Sequence, residues 1–244
     1  MRKRYIFILL ISSITLGQSC GQTNNNKSKI TYMDNFELSP ENAHPKAKEL
    51  LTADFYWSPI EESAPFGSDD GSDAFYGFRE WRFKNKTESP IEYLQELINE
   101  WGFPPFDWNT LDTMKINEYI SGNNTIDNSS IQDQIPAMKE HFKEMAEREG
   151  KEFDEALFYQ SFNSATGDMG GTYLLGIDNA IIAVGFGQFV LEGVINKELA
   201  GLTKIALQRE MTQLLLDRWG EYKVTRVKLL NQMISDINKI EIKE

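Results

Sequence analysis

Pro65–Asp73 (PFGSDDGSD) gathers three carboxylates and two glycines in one short stretch, with Glu61 and Glu62 just before it. Carboxylate oxygens on a tight turn are the donors that hard divalent cations take. Asp69, Asp73 and Glu80 fall at positions 1, 5 and 12 of a twelve-residue calcium loop. Position 3 is Gly71, however, and position 6, where such a loop turns on glycine, is Ala74. The spacing excludes an EF-hand and leaves two readings. One is a cation site drawn from Glu61, Asp69, Asp70, Asp73 and Glu80, with a divalent cation as cofactor and hydrolysis as its chemistry. The other is a helix N-terminus whose aspartates cap free N–H groups and meet the positive end of the dipole, with no cofactor. The failed spacing favours the second.

The other reactive group is the single cysteine, Cys20. A basic start (Arg2, Lys3, Arg4) precedes the apolar run Tyr5–Leu16, which has signal-peptide length and is too short to span a bilayer. Gly17, Gln18 and Ser19 follow. The arrangement resembles a bacterial lipoprotein signal, which implies cleavage before Cys20 and fatty acylation (palmitate) of its thiol. Ser19 fits that pattern; Gly17 stands where a leucine is usual, and Gln18 is bulkier than usual. The alternative is an ordinary secretory signal with an unpaired thiol. Gly21, rather than an aspartate, follows the cysteine, so the expected location is the cell envelope, on the outer membrane, facing the periplasm or the cell surface.

Three of the 25 basic residues and none of the 37 acidic ones lie in the leader, so its removal takes the net charge from −12 to −15. That argues against nucleic acid as a partner. It suits a basic protein partner or, more plainly, solubility. The remaining motifs exclude more than they assign. His44 and His141 lack zinc-site spacing. Gly67–Gly71 has its serine one place early for a nucleophile elbow, and Gly185-Phe186-Gly187 lacks the third glycine of a dinucleotide loop. Trp57, Phe106 and Trp108 are candidates for an aromatic surface that stacks on sugar or peptide.

The elements that must position these residues divide by composition. Residues 20–30 form a polar tether. All prolines lie at or before Pro136, and four of five tryptophans precede position 110. The expected lobes are therefore 31–121, with aromatic loops and short helices, and 130–244, with long helices, joined at Ser121–Ser130; 31–244 also suits one domain. Helix starts are expected at Ser39-Pro40 and at the capping box Ser89-Pro90-Ile91-Glu92, the latter ending at Gly102. A helix over about Ser72–Arg82 places Phe75, Phe78 and Trp81 inward. In the second lobe, Ile131, Ile135, Met138, Phe142 and Met145 form one stripe. Ile177–Leu191 is apolar all round and reads as the central buried helix. Asn196–Trp219 reads as one long helix, and Val227, Leu230, Ile234 and Ile237 form the seam of the last. Short strands have room only at Phe153–Phe162 and Thr172–Leu175. No membrane-length segment is expected after Leu16. The fold class is mainly α: an irregular helical bundle with few or no strands.

Ala43-His44-Pro45, Asp54-Phe55-Tyr56-Trp57, Pro65-Phe66-Gly67, Asp69, Gly71, Asp73 and Trp81-Arg82, with Asp178-Asn179, Glu192-Gly193 and Arg209, resemble the YfeS-like family of bacterial proteins. The likeness spans roughly 40–220 and implies no catalytic residues, since the family brings no established activity. The expected function is that of a non-enzymatic binding protein, anchored to the lipid bilayer through acylated Cys20, with an acidic face for a basic partner.

Overall fold

A computed structural model describes residues 36–123, 135–166 and 169–243. Cys20, the leader, the tether and most of the Ser121–Ser130 seam lie outside these residues. The chain is mainly α, with one pair of two-residue strands among the described residues.

The first helix among the described residues, α1 (Pro45–Leu50), starts later than the Ser39-Pro40 cap predicts. Residues 39–42 make a turn instead. Pro45 explains the shift: proline disfavours helical geometry in the residue before it, so a helix through His44 cannot continue, and one restarts at Pro45. His44 caps it, its Nδ1 accepting from the Lys46 N–H at 3.3 Å. A 3-10 turn follows (Asp54–Trp57). Helix α2 (Asp69–Lys84) is longer than the aromatic spacing indicates and buries Phe75 and Phe78. Helix α3 (Pro90–Glu100) begins at the capping box, with the Ser89 hydroxyl accepting from the Ile91 N–H. It stops where Gly102 takes φ +69°.

After α4 (Thr113–Gly122) come α5 (Ile135–Arg148) and α6 (Glu155–Thr166). Of the expected stripe, Ile135, Met138, Phe142 and Met145 form the half-buried face of α5, and Ile131 lies outside the described residues. Neither Phe153–Phe162 nor Thr172–Leu175 holds a strand: the first runs into α6, the second lies within α7 (Met169–Glu192). Helix α7 exceeds the predicted core and is, by length and composition, able to cross a membrane, which corrects the expectation above. Its apolar window is 89% buried within the protein, as a core helix requires.

β1 (Ile195–Asn196) then leads into α8 (Lys197–Glu210), capped by the Asn196 side chain. The expected single helix to Trp219 is broken into α8, the short α9 (Gln213–Leu216) and a 3-10 segment (Asp217–Tyr222). Thr212 marks the break, its hydroxyl donating to the Arg209 carbonyl at 2.7 Å. Helix α10 (Lys223–Ile237) and β2 (Ile242–Lys243) finish the chain, β2 pairing parallel to β1 with Ile195 opposite Ile242.

These elements form two compact units. The larger is discontinuous: among the described residues it holds 36–119 and 171–243, and the smaller holds those between, from 120 to 170. The physical reason is α7. A helix apolar on every side needs neighbours on every side, and in the larger unit it gets them from both ends of the sequence. Phe75 of α2 lies 2.6 Å from the place a Cβ on Gly187 would occupy, and the Thr203 hydroxyl of α8 lies 2.2 Å from that of Gly185. In the smaller unit, Phe158 meets Phe142 edge-on at 5.4 Å and Phe162 at 6.1 Å.

Gly185→Ala is accordingly expected to destabilise the protein by about 1–3 kcal/mol through overpacking against Thr203. Gly201→Ala, on an exposed part of α8 where an added methyl meets nothing within 4 Å, is expected to stabilise by up to about 1 kcal/mol. Chemical denaturation of the two variants side by side checks both signs.

Candidate functional site

The aspartate-rich stretch forms the start of α2. Ser68 is its cap, accepting from the Gly71 N–H at 3.1 Å, while Asp69 and Asp70 occupy the first turn, where the dipole favours them. Gly71 lies against the Pro65 carbonyl, 2.5 Å from the position its missing Cβ would take. The side chains of Asp69, Asp73 and Glu80 are exposed, and Glu61 turns back to accept from the Ser63 N–H at 3.2 Å. Among the described residues no group of three or more metal-ligating side chains converges. Asp70 differs from its neighbours. It packs toward α7, its Oδ2 being 3.2 Å from where a Cβ on Gly176 would sit. Burial first, then the charges of Asp69 and Asp73, push its carboxyl up to about 6.

The second constellation is buried and was largely hidden from sequence reasoning. Asp178, in the middle of α7, and Arg209, in the last turn of α8, are both fully buried. The Arg209 Nε donates to both Asp178 oxygens at 3.0 and 3.1 Å, and Nη2 donates to Oδ1 at 2.5 Å. Nη1 donates to the carbonyls of Trp108 (3.1 Å) and Thr110 (2.7 Å), and the Phe106 ring lies 4.9 Å from the guanidinium carbon. Burial pushes the Asp178 carboxyl up, Arg209 opposes this, and the neighbouring Glu210 adds to it. Glu210 in turn accepts from Arg226 Nη2 at 3.1 Å, with both side chains 1% exposed. Arg226 also donates to the Ser63 carbonyl at 3.2 Å and lies 4.5 Å from the Trp219 ring. A third pair, Arg82 Nε to Glu192 at 2.5 Å, joins α2 to the end of α7. Asp178 with Arg209 and Arg82 with Glu192, quoted above for the family likeness, are thus partners in space. The one signal for this network in the sequence was an acid inside an apolar run, which demands a buried partner.

The aromatic candidates separate. Trp57 donates its indole N–H to the Leu51 carbonyl at 2.9 Å. Phe106 and Trp108 belong instead to the loop Phe103–Trp108, which walls a groove of about 420 Å³ together with α3 and the start of α8. The loop is held from within. Tyr119 donates to the Pro104 carbonyl at 3.0 Å, its ring lies 4.7 Å from Phe106, and Arg209 fixes the Trp108 carbonyl.

Two outcomes are expected. Arg209→Met leaves Asp178 buried without its cation and is expected to cost about 3–5 kcal/mol in urea unfolding, much of it recovered in the double variant Asp178→Leu/Arg209→Met. For Asp70, the folded-state pKa lies above that of an unfolded aspartate, so ionisation favours the unfolded chain as pH rises. Asp70→Asn is therefore expected to be more stable than the parent at pH 7–8, with the gap closing below about pH 4. Thermal melts across that range check the sign. No family model, no curated protein and no solved structure matches this chain.

Proposed function

We propose that this chain is a lipid-tethered, non-enzymatic binding protein of the cell envelope, whose acidic face holds a basic protein partner in the manner of an immunity protein. The observation that carries the reading is an uncompensated carboxylate face on α2 and α3. Tyr93 of α3 donates its hydroxyl to the Ala74 carbonyl of α2 at 2.9 Å, and burial first, then the charges of Asp73, Glu100 and Glu80, hold that hydroxyl well above its usual range. All three are exposed, and none forms an ion pair among the described residues. Arg209, Arg226 and Arg82 are committed to Asp178, Glu210 and Glu192, and Arg79 of α2 lies over the Phe36 and Tyr76 rings. Charge of one sign left open on a face raises the on-rate for a partner of the other sign and rejects like-charged competitors. Acylated Cys20 supplies the tether, several acyl chains being needed for stable anchoring.

Cys20→Ser is expected to move the protein from the membrane to the soluble fraction, and mass spectrometry of the parent to find an acylated cysteine at its N-terminus. The full chain in detergent is expected to retain a basic envelope protein at low salt and to release it at about 0.5 M salt, where screening length falls to a few ångströms. Asp73→Asn/Glu80→Gln/Glu100→Gln is expected to lose that partner at low salt. Recovery of no partner, or of one indifferent to both salt and the triple variant, would sink the reading.

A further inference from the structure

The groove beside the Phe103–Trp108 loop carries polar groups that the fold does not use. We propose that it is a binding site for a neutral saccharide. Gln95 and Asn99 stand one turn apart on α3, Asp107 and Trp108 lie on the loop, and Glu198 lies in the first turn of α8; all five line the groove. Among the described residues the side-chain amides of Gln95 and Asn99 and the indole N–H of Trp108 form no hydrogen bond. Neither Asp107 nor Glu198 has a cationic partner there, and the one internal bond of the Asp107 carboxylate is from the Asn109 N–H at 3.0 Å.

The chemistry of the lining selects the ligand. It presents donors (two amides and an indole N–H) and acceptors (two carboxylates and two amide oxygens) side by side. An anion is repelled by the carboxylates. A cation would use the acceptors and leave the donors idle. A purely apolar ligand would strip water from two carboxylates with nothing in return, which is costly. A neutral polyhydroxylated molecule uses both kinds of group, because each hydroxyl donates and accepts. Its C–H faces find apolar wall in Trp108, whose ring stacks on no other aromatic among the described residues. A volume near 420 Å³ falls within the range of about 300–1,000 Å³ of small-molecule sites. The site is also stiff, since Arg209 holds the Trp108 backbone from the core, so little ordering opposes binding.

This inference is independent of the acidic-face reading, because none of the five residues belongs to that face. The test titrates the full chain in detergent at about 0.5 M salt, which screens the acidic face, with chitotriose, cellotriose and maltotriose, followed by tryptophan fluorescence, with trilysine and inorganic phosphate as controls. At least one trisaccharide is expected to give a saturable change at or below millimolar concentration, and the controls none. Trp108→Ala and Asn99→Ala are each expected to weaken binding roughly tenfold, equivalent to about 1.4 kcal/mol. Asn99 is exposed and its side chain forms no hydrogen bond, so its variant reports on binding even if the tryptophan variant unfolds. No saturable response to any of the three sugars up to roughly 20 mM, saturable binding of trilysine in their place, or a sugar response unchanged in Asn99→Ala overturns the proposal.

Discussion

A single carboxylate in the middle of an apolar helix organises much of this protein. Asp178 sits where α7 must be covered on every side, so it needs a partner that reaches it without water. A guanidinium can do this because its fork meets a carboxylate with more than one bond and still has N–H groups to spare. The spare donors of Arg209 go to the carbonyls of Trp108 and Thr110, which sets the loop that follows α3. The next residue, Glu210, engages Arg226, whose other nitrogen holds the Ser63 carbonyl just ahead of α2. Two consecutive residues at the end of α8 thus fix two distant loops. One lines the groove; the other launches the aspartate-rich turn.

What the sequence made legible was apolar pattern and capping chemistry. The serine cap of α3, the all-round apolar character of α7 and the half-buried stripe of α5 from Ile135 to Met145 all depend on neighbours a few residues away, and these are present, while the Glu92 carboxylate makes no return bond to the Ser89 N–H. What it concealed was pairing between charges far apart in the chain. On α10 the predicted seam Val227, Leu230, Ile234, Ile237 is shifted, and the buried residues are Arg226, Leu230, Met233, Asp236 and Ile237. Hydropathy counts an arginine as solvent-facing, whereas Glu210 lets Arg226 face inward. The break after α8 was equally hidden, since no proline or glycine marks it and a threonine hydroxyl competing for a backbone carbonyl does.

The same division governs the candidate sites. The aspartate-rich stretch was legible as a helix start because capping is local, and the structure places Ser68 rather than an aspartate at the cap. Phe106 and Trp108 were legible as aromatic residues of a rigid loop. Gln95, Asn99 and Glu198 were not, because their shared wall exists only once α3, the loop and α8 are packed together. Trp57 had the same composition signal as Trp108, yet its indole hydrogen bond is spent on the Leu51 carbonyl.

The larger unit is discontinuous: its first part ends near residue 119 and resumes near 171. A chain that emerges N-terminus first, from a ribosome or through a translocation channel, therefore carries α2 and α3 for some time without the helix that covers Phe75. The α7 surface then arrives before Arg209, Arg226 and the final strand. Completion must wait for the last stretch of polypeptide, and until then an apolar helix with one uncompensated acid is open to wrong associations. Such a topology favours release of the whole chain before the core closes, and it gives a holding chaperone a defined substrate: the half-built molecule between residues 171 and 209.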